Sequence, residues 1–358
     1  LKLLDAYIFK RFLKTWVFVI AMITLIICVV DYTEKIEDFI RRKPSTGEVL
    51  FDYYLNLIPY WANTISPLMV FISVVFMTAN MAARTEIIAI LSSGVSFLRF
   101  TLPYFMAATL IGVFTFLMVS YVIPRANRTR IAFENKYVKG DYYYEGRDVH
   151  LKIAPNVYAY IESYNNATNT GDRFTLERIE GNQLKEKLSS SRIEWNPKKG
   201  KWTAYDYTIR TIDGTKETLT KGTQLDTTLN LKPKDFESTY RLWETFTLTQ
   251  LNNYIAELRL RGSDGIETYL IEKYTRFANP FSVLILTAIG VIVSARKSRG
   301  GVGLQIALGF GLAFAYILFY LLSSGIAAKG SMPPLLAVWL PNLTFTLIGL
   351  VLYRTIPR

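Results

Sequence analysis

Charge disappears from the chain in six places. Uncharged apolar runs of roughly 16 to 30 residues recur along it, close to the length a helix needs to cross a bilayer core. They are Thr15 to Val30, a stretch within Leu55 to Ala83, Phe100 to Pro124, Phe277 to Ala295, Val302 to Ala328, and about Pro334 to Tyr353. Pro59 and Pro67 are expected to bend or begin the second run. Gly309 and Gly311 allow close helix approach in the fifth. Ahead of the first run, Leu4, Ile8 and Phe12 lie on one side of a helical pattern, with Lys2, Lys10, Arg11 and Lys14 interleaved. That pattern predicts an amphipathic helix, Leu1 to Lys14, lying at the membrane surface and feeding the first span.

Between the third and fourth runs the period changes to two. Val157, Ala159 and Ile161 alternate with polar positions, as do Leu225, Leu229 and Leu231 around Thr227, the pattern of half-buried strands. Asn196-Pro197-Lys198-Lys199-Gly200 reads as a hairpin loop and Asp213-Gly214 as a second turn. Several short strands with such punctuation predict a sandwich, jelly roll or open barrel. Leu248, Leu251, Ile255 and Leu258 return to helical spacing, closed by Arg261-Gly262-Ser263. The fold class expected is a polytopic α-helical membrane protein of six spans with an inserted, jelly-roll-like all-β domain. The expected domains are 1–124, an interfacial helix and three spans; 125–245, the β domain; and 246–358, a connecting helix and three spans.

Composition supports this. The chain has 358 residues, of which 51% are hydrophobic and 14% aromatic, and its mean hydropathy is positive. The net charge of +12 would suggest nucleic acid in a soluble protein. Here the bases flank the apolar runs, which fits topology control and anionic lipid, and no nucleic-acid partner is expected. Lys2, Lys10, Arg11 and Lys14, then Arg84 and Arg99, then Arg296, Lys297 and Arg299, then Arg354 and Arg358 share one side of a six-span chain. Both termini are therefore expected in the cytoplasm and the β domain outside. The loop Asp31 to Asp52, with Lys35, Arg41, Arg42 and Lys43, argues the other way, although its acids outnumber its bases. Cys28 is the one cysteine, so no intramolecular disulfide forms. His150 is the one histidine, so no histidine-rich metal site is expected. No small-residue cleavage pattern follows the N-terminal segment, and no cleavable signal peptide is expected.

The sequence carries no G-x-x-x-x-G-K-[ST], H-E-x-x-H, C-x-x-C or G-x-S-x-G motif, which argues against nucleotide hydrolysis or other catalysis on this chain. The spans are also expected to lack buried ionisable groups, which argues against a proton- or sodium-coupled carrier. Three segments admit two readings each. Arg84, Glu86, Ile87, Ile90 and Leu91 form a short helix that Gly94 can end, with Glu86 in the first turn, where the helix dipole favours a carboxylate. Either this helix, its patch widened by Ile88, docks into a groove on a cytosolic partner, or it links two spans with Glu86 solvated. Lys35, Arg41, Arg42 and Lys43 either meet an anionic headgroup or form a solvated loop balanced by Glu34, Glu37 and Asp38. Tyr316, Phe319 and Tyr320 either line an apolar cavity or pack in a core or interfacial belt.

The chain resembles the lipopolysaccharide export permeases of the LptF/LptG family over essentially its whole length. The resemblance rests on Leu4-Asp5-Ala6-Tyr7-Ile8, the Glu86 to Ser96 segment, and Asn156-Val157-Tyr158-Ala159-Tyr160-Ile161. It continues in Asn279-Pro280-Phe281 and in Pro333 to Asn342. It implies a bacterial inner-membrane permease subunit that pairs with a second subunit of the family above a cytosolic ABC ATPase dimer. ATP and magnesium would then sit on that partner, and this chain would bind no cofactor. The pair would extract lipopolysaccharide through a lateral opening near spans one and five. Periplasmic β-jelly-roll adaptor and bridge proteins would receive the lipid, with open sheet edges joining by strand addition.

Glu86 matches the family's coupling carboxylate, and spans one, two and five would enclose the cavity, with Phe71, Tyr316, Phe319 and Tyr320 as lining. Members of the G type carry a basic residue near the outer end of span one. Here the neighbourhood reads Val30-Asp31-Tyr32, with Lys35 one turn on and Arg41 beyond as the headgroup contacts, so F-like and G-like assignments both stand. Without the resemblance, the residues also fit an ABC permease for another lipid or lipoprotein, or a membrane-anchored scaffold or receptor with a ligand-binding β domain.

Overall fold

A computed structural model describes residues 3–139, 147–236, 240–261, 265–295 and 301–354, apart from the side chains of residues 234, 301 and 302. Lys2, Arg296, Lys297, Arg299 and Arg358, which entered the charge argument, and the Gly262-Ser263 stop signal lie outside the described residues. Contacts divide the chain into two units. One comprises Leu1–Val138, Trp243–Leu251 and Glu267–Arg358; the other comprises Lys139–Leu242 and Asn252–Ile266.

Among the described residues of the first unit, six helices are long and apolar enough to cross a membrane. The first, α1 (Leu3–Arg42), is one continuous helix of 40 residues, and the separate surface helix expected from the sequence is not formed. Ile8 and Phe12 are buried in a bundle core with Val70, Val74, Tyr104 and Ala107. The apolar stripe expected to float on lipid headgroups finds helices to pack against instead. Asp5 is likewise buried, and Arg99 donates to its two oxygens at 2.7 and 2.6 Å.

The uncharged stretch 55–83 is two helices, α2 (Leu55–Thr64) and α3 (Ser66–Ala83). Pro67 sits in the first turn of α3, where a missing N–H costs nothing, while Pro59 stays inside α2. A short helix, α4 (Glu86–Ser92), leads to α5 (Phe97–Leu117). A π-helical stretch, Met118–Val122, joins α5 to α6 (Ile123–Glu134), and a second, Asn135–Lys139, follows. Residues 125–139, placed in the β domain by the sequence reading, are thus helical.

After the second unit come α7 (Leu248–Arg261), α8 (Ile266–Ser294), α9 (Gly301–Ala328) and α10 (Pro334–Arg354). The α3 helix is central: 72% of its apolar window is buried, against 6% for α1, which leaves α1 mostly uncovered by the rest of the chain. One face of α3 packs in the core with α1 and α5. Its other face places Phe71 and Val75 with Leu286, Ala313 and Phe345. Gly309 on α9 makes that second contact possible, since a Cβ there would lie 3.0 Å from Val75 Cγ1. Gly311 has no neighbour within 4 Å, so close approach rests on Gly309 alone of the pair.

In the second unit the strands are β1 (Arg147–Ala154), β2 (Val157–Asn165), β3 (Thr170–Glu180), β4 (Gln183–Asn196), β5 (Lys201–Asp213) and β6 (Lys216–Thr227). They form one antiparallel sheet in sequence order, so the jelly-roll-like expectation takes the form here of an up-and-down meander. The Asn196 to Gly200 and Asp213-Gly214 segments turn the chain between β4 and β5 and between β5 and β6. Inward positions of the consecutive strands β2 to β5 supply Ile161, Phe174, Ile193 and Trp202 to one core. Leu229 and Leu231, read as strand, lie beyond the end of β6. Leu231 is nevertheless buried, and its carbonyl accepts from Trp202 Nε1 at 2.8 Å.

Trp202 is fully buried. Trp202→Ala should destabilise the β unit by about 3–5 kcal/mol. The measurement is protease susceptibility of residues 147–236 along a urea series in detergent, where cleavage should begin at lower urea than in the wild type.

Candidate functional site

The short helix α4 is set by its ends. Thr85 before it adopts φ 61° and Gly94 after it φ +88°, left-handed positions that stop the neighbouring helices. Arg84 is exposed at the end of α3. Within α4 the apolar residues divide. Ile87 is buried in the bundle core, and Ile90 and Leu91 are half-buried against it, while Ile88 is exposed. The four therefore do not make one outward patch, because three of them are needed to seat the helix. Glu86 is not simply solvated: Arg11 Nη1 donates to its Oε2 at 3.2 Å and the Tyr7 hydroxyl at 3.3 Å, both from α1.

A larger feature lies among α2, α3, α8 and α9. An apolar recess of about 310 Å³ is lined by Trp61, Ile65, Leu68, Leu286, Ala313, Tyr316, Ile317 and Leu321, with Thr64, Thr275, Asn279 and Tyr320 among its polar lining. Tyr316 turns its hydroxyl into the bundle, 2.7 Å from Ser282 Oγ and 2.8 Å from Asn342 Oδ1. Asn342 Nδ2 donates to the Ala278 carbonyl at 3.2 Å. The Tyr320 hydroxyl pairs with Thr275 at 2.8 Å. Of the aromatic residues singled out in the sequence, Tyr316 and Tyr320 line the recess. Phe71 is fully buried in the core beside it and Phe319 packs half-buried against that core.

The same four polar residues, Thr64, Thr275, Asn279 and Tyr320, also line a second, polar recess of about 200 Å³. Its other walls include Tyr60, Asn63, Asn127, Glu244, Glu272 and Arg276. The Arg276 side chain is 1% exposed. It donates to Glu272 at 2.8 Å, to the Phe246 carbonyl at 2.9 Å and to the Trp243 carbonyl at 3.3 Å. Arg130, fully buried, pairs with Glu244, and its Nη1 lies 4.0 Å from Glu134. Its guanidinium also stacks 4.3 Å over the Tyr60 ring, and the Tyr60 hydroxyl donates to Glu244 at 3.0 Å.

The network continues to α1. Lys35 Nζ reaches Asp31 at 2.7 Å and Glu134 at 3.7 Å, and it also contacts the Tyr53 hydroxyl. The six apolar runs themselves hold no charge, and the charged residues lie beyond their ends, in the same long helices. Asp31, Lys35, Arg130, Glu134 and Arg276 all lie in the membrane-length helices, and the structure accommodates them by pairing. Lys35 is committed to internal partners. Arg41 pairs with Asp38 at 2.6 Å but remains exposed.

Beside this network, Ser45 and Glu48 form a reciprocal cap on the helical turn that begins at Thr46. Ser45 N–H donates to Glu48 Oε2 at 2.9 Å and Glu48 N–H to Ser45 Oγ at 3.2 Å, a capping box. The Ser45 backbone N–H, followed by the Tyr137 hydroxyl, holds the Glu48 carboxyl at about 2, below its ordinary 4.5.

The sequence reading missed Asn63, Asn127, Glu244, Glu272 and Arg276. Their signal is weak because all but Asn63 lie outside the apolar runs, where polar residues are ordinary. Ser282 and Asn342, polar residues inside apolar runs, carried a usable signal.

The chain matches the family described as "Lipopolysaccharide export system permease LptF/LptG" over residues 6–355. No curated protein matches it.

Two outcomes follow from the charges. Glu244→Ala leaves Arg130 buried without its partner and should cost about 3–5 kcal/mol, read as a lowered Tm of the full chain in detergent. The Glu48 contribution to stability is fully present above about pH 4.5 and is lost as pH falls towards about 2, because its folded value is depressed. In an acid titration of unfolding, Glu48→Gln should flatten the pH dependence within that window.

Proposed function

The chain belongs to the family of lipopolysaccharide export system permeases LptF/LptG, and from that membership we propose that it is the membrane subunit through which an ATP-driven exporter lifts lipopolysaccharide from the inner membrane. It is a membrane-embedded permease subunit. The observation that carries the fuller reading is the apolar recess of about 310 Å³ adjoining a polar one. Moving an acyl chain into water costs roughly 0.8 kcal/mol per CH₂. An extractor therefore has to offer apolar surface in exchange for lipid, with polar groups beside it for the headgroup.

The remaining parts follow from the resemblance and from the geometry together. A second permease of the family completes the cavity, and a cytosolic ABC ATPase dimer with ATP and magnesium supplies the work. The termini and α4 face the cytoplasm. Glu86 receives the motion of the ATPase, with exposed Ile88 beside it as the apolar contact. Arg11 and Tyr7 connect that carboxylate to α1. On the other side the β unit stands in the periplasm, where the edges of β1 and β6 offer strand addition to β adaptor and bridge proteins. Arg41, exposed as Lys43 is, is offered to an anionic headgroup, because Lys35 is held by Asp31 and Glu134.

The test is gentle extraction from native membranes, comparing wild type with Glu86→Lys and following bound ATPase and lipid. The expected result is an ATPase and lipopolysaccharide with the wild type, and at least tenfold less ATPase with Glu86→Lys. Wild type free of both, behaving like the variant, would instead make the chain a scaffold or receptor.

A further inference from the structure

A separate apolar cleft, of about 280 Å³, lies among α5, α8 and α10. Ile285, Ala288 and Ile292 line one wall and Thr346, Gly349 and Tyr353 the other, each set at the spacing of one helix face. Gly349 lets the walls meet, since a Cβ there would lie 3.2 Å from Ile289 Cγ1. The cleft is distinct from the apolar recess above: α8 turns Leu286 to that recess and Leu284, Ile285 and Ala288 to the cleft. Both walls end soon after it, α8 at Ser294 and α10 at Arg354. From Leu284 to Ile292 the cleft is about 12 Å long, which fits within one leaflet of a hydrocarbon core roughly 30 Å thick.

Along its length the cleft offers almost nothing polar. The Thr346 hydroxyl is spent on the Asn342 carbonyl at 2.7 Å. The character changes where α8 and α10 stop. Tyr353 and Arg354 are exposed there, and neither the hydroxyl nor the guanidinium has a partner among the described residues. No carboxylate is supplied by the walls: α5 contains no Asp or Glu, and none follows Glu272 in the sequence. Asp5 and Glu86 belong to the same end of the unit, since Leu4 and Ile90 pack in one cluster with Ala295. Each already holds an arginine, Arg99 and Arg11. A helix is about 10–12 Å across with its side chains, so a partner helix would enter the cleft only by side chains, and an apolar one would leave Arg354 unneutralised. A hydrocarbon chain fits whole, and an anionic head on it answers the arginine. Phosphate suits a guanidinium, and tyrosine is at home at the bilayer surface.

We propose that this cleft holds one acyl chain of an anionic glycerophospholipid, with its phosphate on Arg354 and Tyr353. The site lies in the leaflet where α8 and α10 end. It requires only that the chain be embedded in a membrane, so it is independent of the lipid that the permease moves.

The experiment titrates the full chain in maltoside micelles with palmitoyl-oleoyl phosphatidylglycerol and with the phosphatidylcholine of the same chains, counting bound lipid by native mass spectrometry. The first molecule of phosphatidylglycerol should bind the wild type about tenfold more tightly than phosphatidylcholine, as expected for one charge-assisted hydrogen bond. Arg354→Gln should remove most of that preference. Ala288→Phe, which puts a ring into the cleft, should weaken the first binding of both lipids about tenfold. Arg354 is exposed, so its variant carries the test if Ala288→Phe does not fold. A preference unchanged in Arg354→Gln overturns the headgroup assignment, and affinity unchanged in folded Ala288→Phe overturns the cleft as the site. Equal binding of the two lipids to the wild type, or binding of neither, overturns the proposal as a whole.

Discussion

An arginine sealed from water has to be neutralised by the chain around it. Arg130 is in that position, and the contacts it needs organise one end of the helical unit. Its partner Glu244 is brought from far along the sequence, and Glu134 comes from one turn away. Glu134 in turn meets Lys35 of α1. Removing Glu244 leaves Arg130 only the 4.0 Å approach of Glu134, and a buried pair is costly to break even where it adds little net stability. The segment Trp243–Phe246 is held twice over, since Arg276 of α8 binds its carbonyls. Chain that returns to the bundle after the β unit is therefore fixed by charge before α8 begins.

The two recesses depend on that arrangement. Glu244 and Arg276 are at once members of the ion network and walls of the polar recess. The apolar recess is shaped by α3, whose contact with α9 requires Gly309, and by the Tyr316, Ser282 and Asn342 cluster, which keeps a tyrosine hydroxyl satisfied within the bundle. Polar groups in a membrane-embedded bundle are tolerated where they find one another. Here they also fix the orientation of an aromatic ring that faces the recess.

Much of the fold was legible because lipid leaves so few choices. Each of the six apolar runs is helical, the second as the pair α2 and α3, and α10 begins at the predicted Pro334. Period-two spacing at Val157, Ala159 and Ile161 located a strand, since burial on one face leaves no other pattern. The failures have physical causes. Leu4, Ile8 and Phe12 describe one apolar stripe, and a stripe alone does not say whether lipid or protein covers it. Helix α6 was read as part of the β domain because Arg125, Arg128 and Arg130 look like a soluble segment, whereas the burial of Arg130 depends on a glutamate more than a hundred residues away. Glu86 stood out by its place in a first turn. Its bonds to Arg11 and Tyr7 are long-range and left no local mark.

The unbroken course of α1 has a mechanical consequence. At 1.5 Å per residue its 40 residues make a rod about 60 Å long, roughly twice the depth of the hydrocarbon layer. Near one end it is bonded to Glu86 through Tyr7 and Arg11. Towards the other it is bonded to Glu134 through Lys35. Between these anchors there is no proline or glycine at which the rod can flex. The Glu86 and Glu134 contacts are thereby tied together by one stiff element.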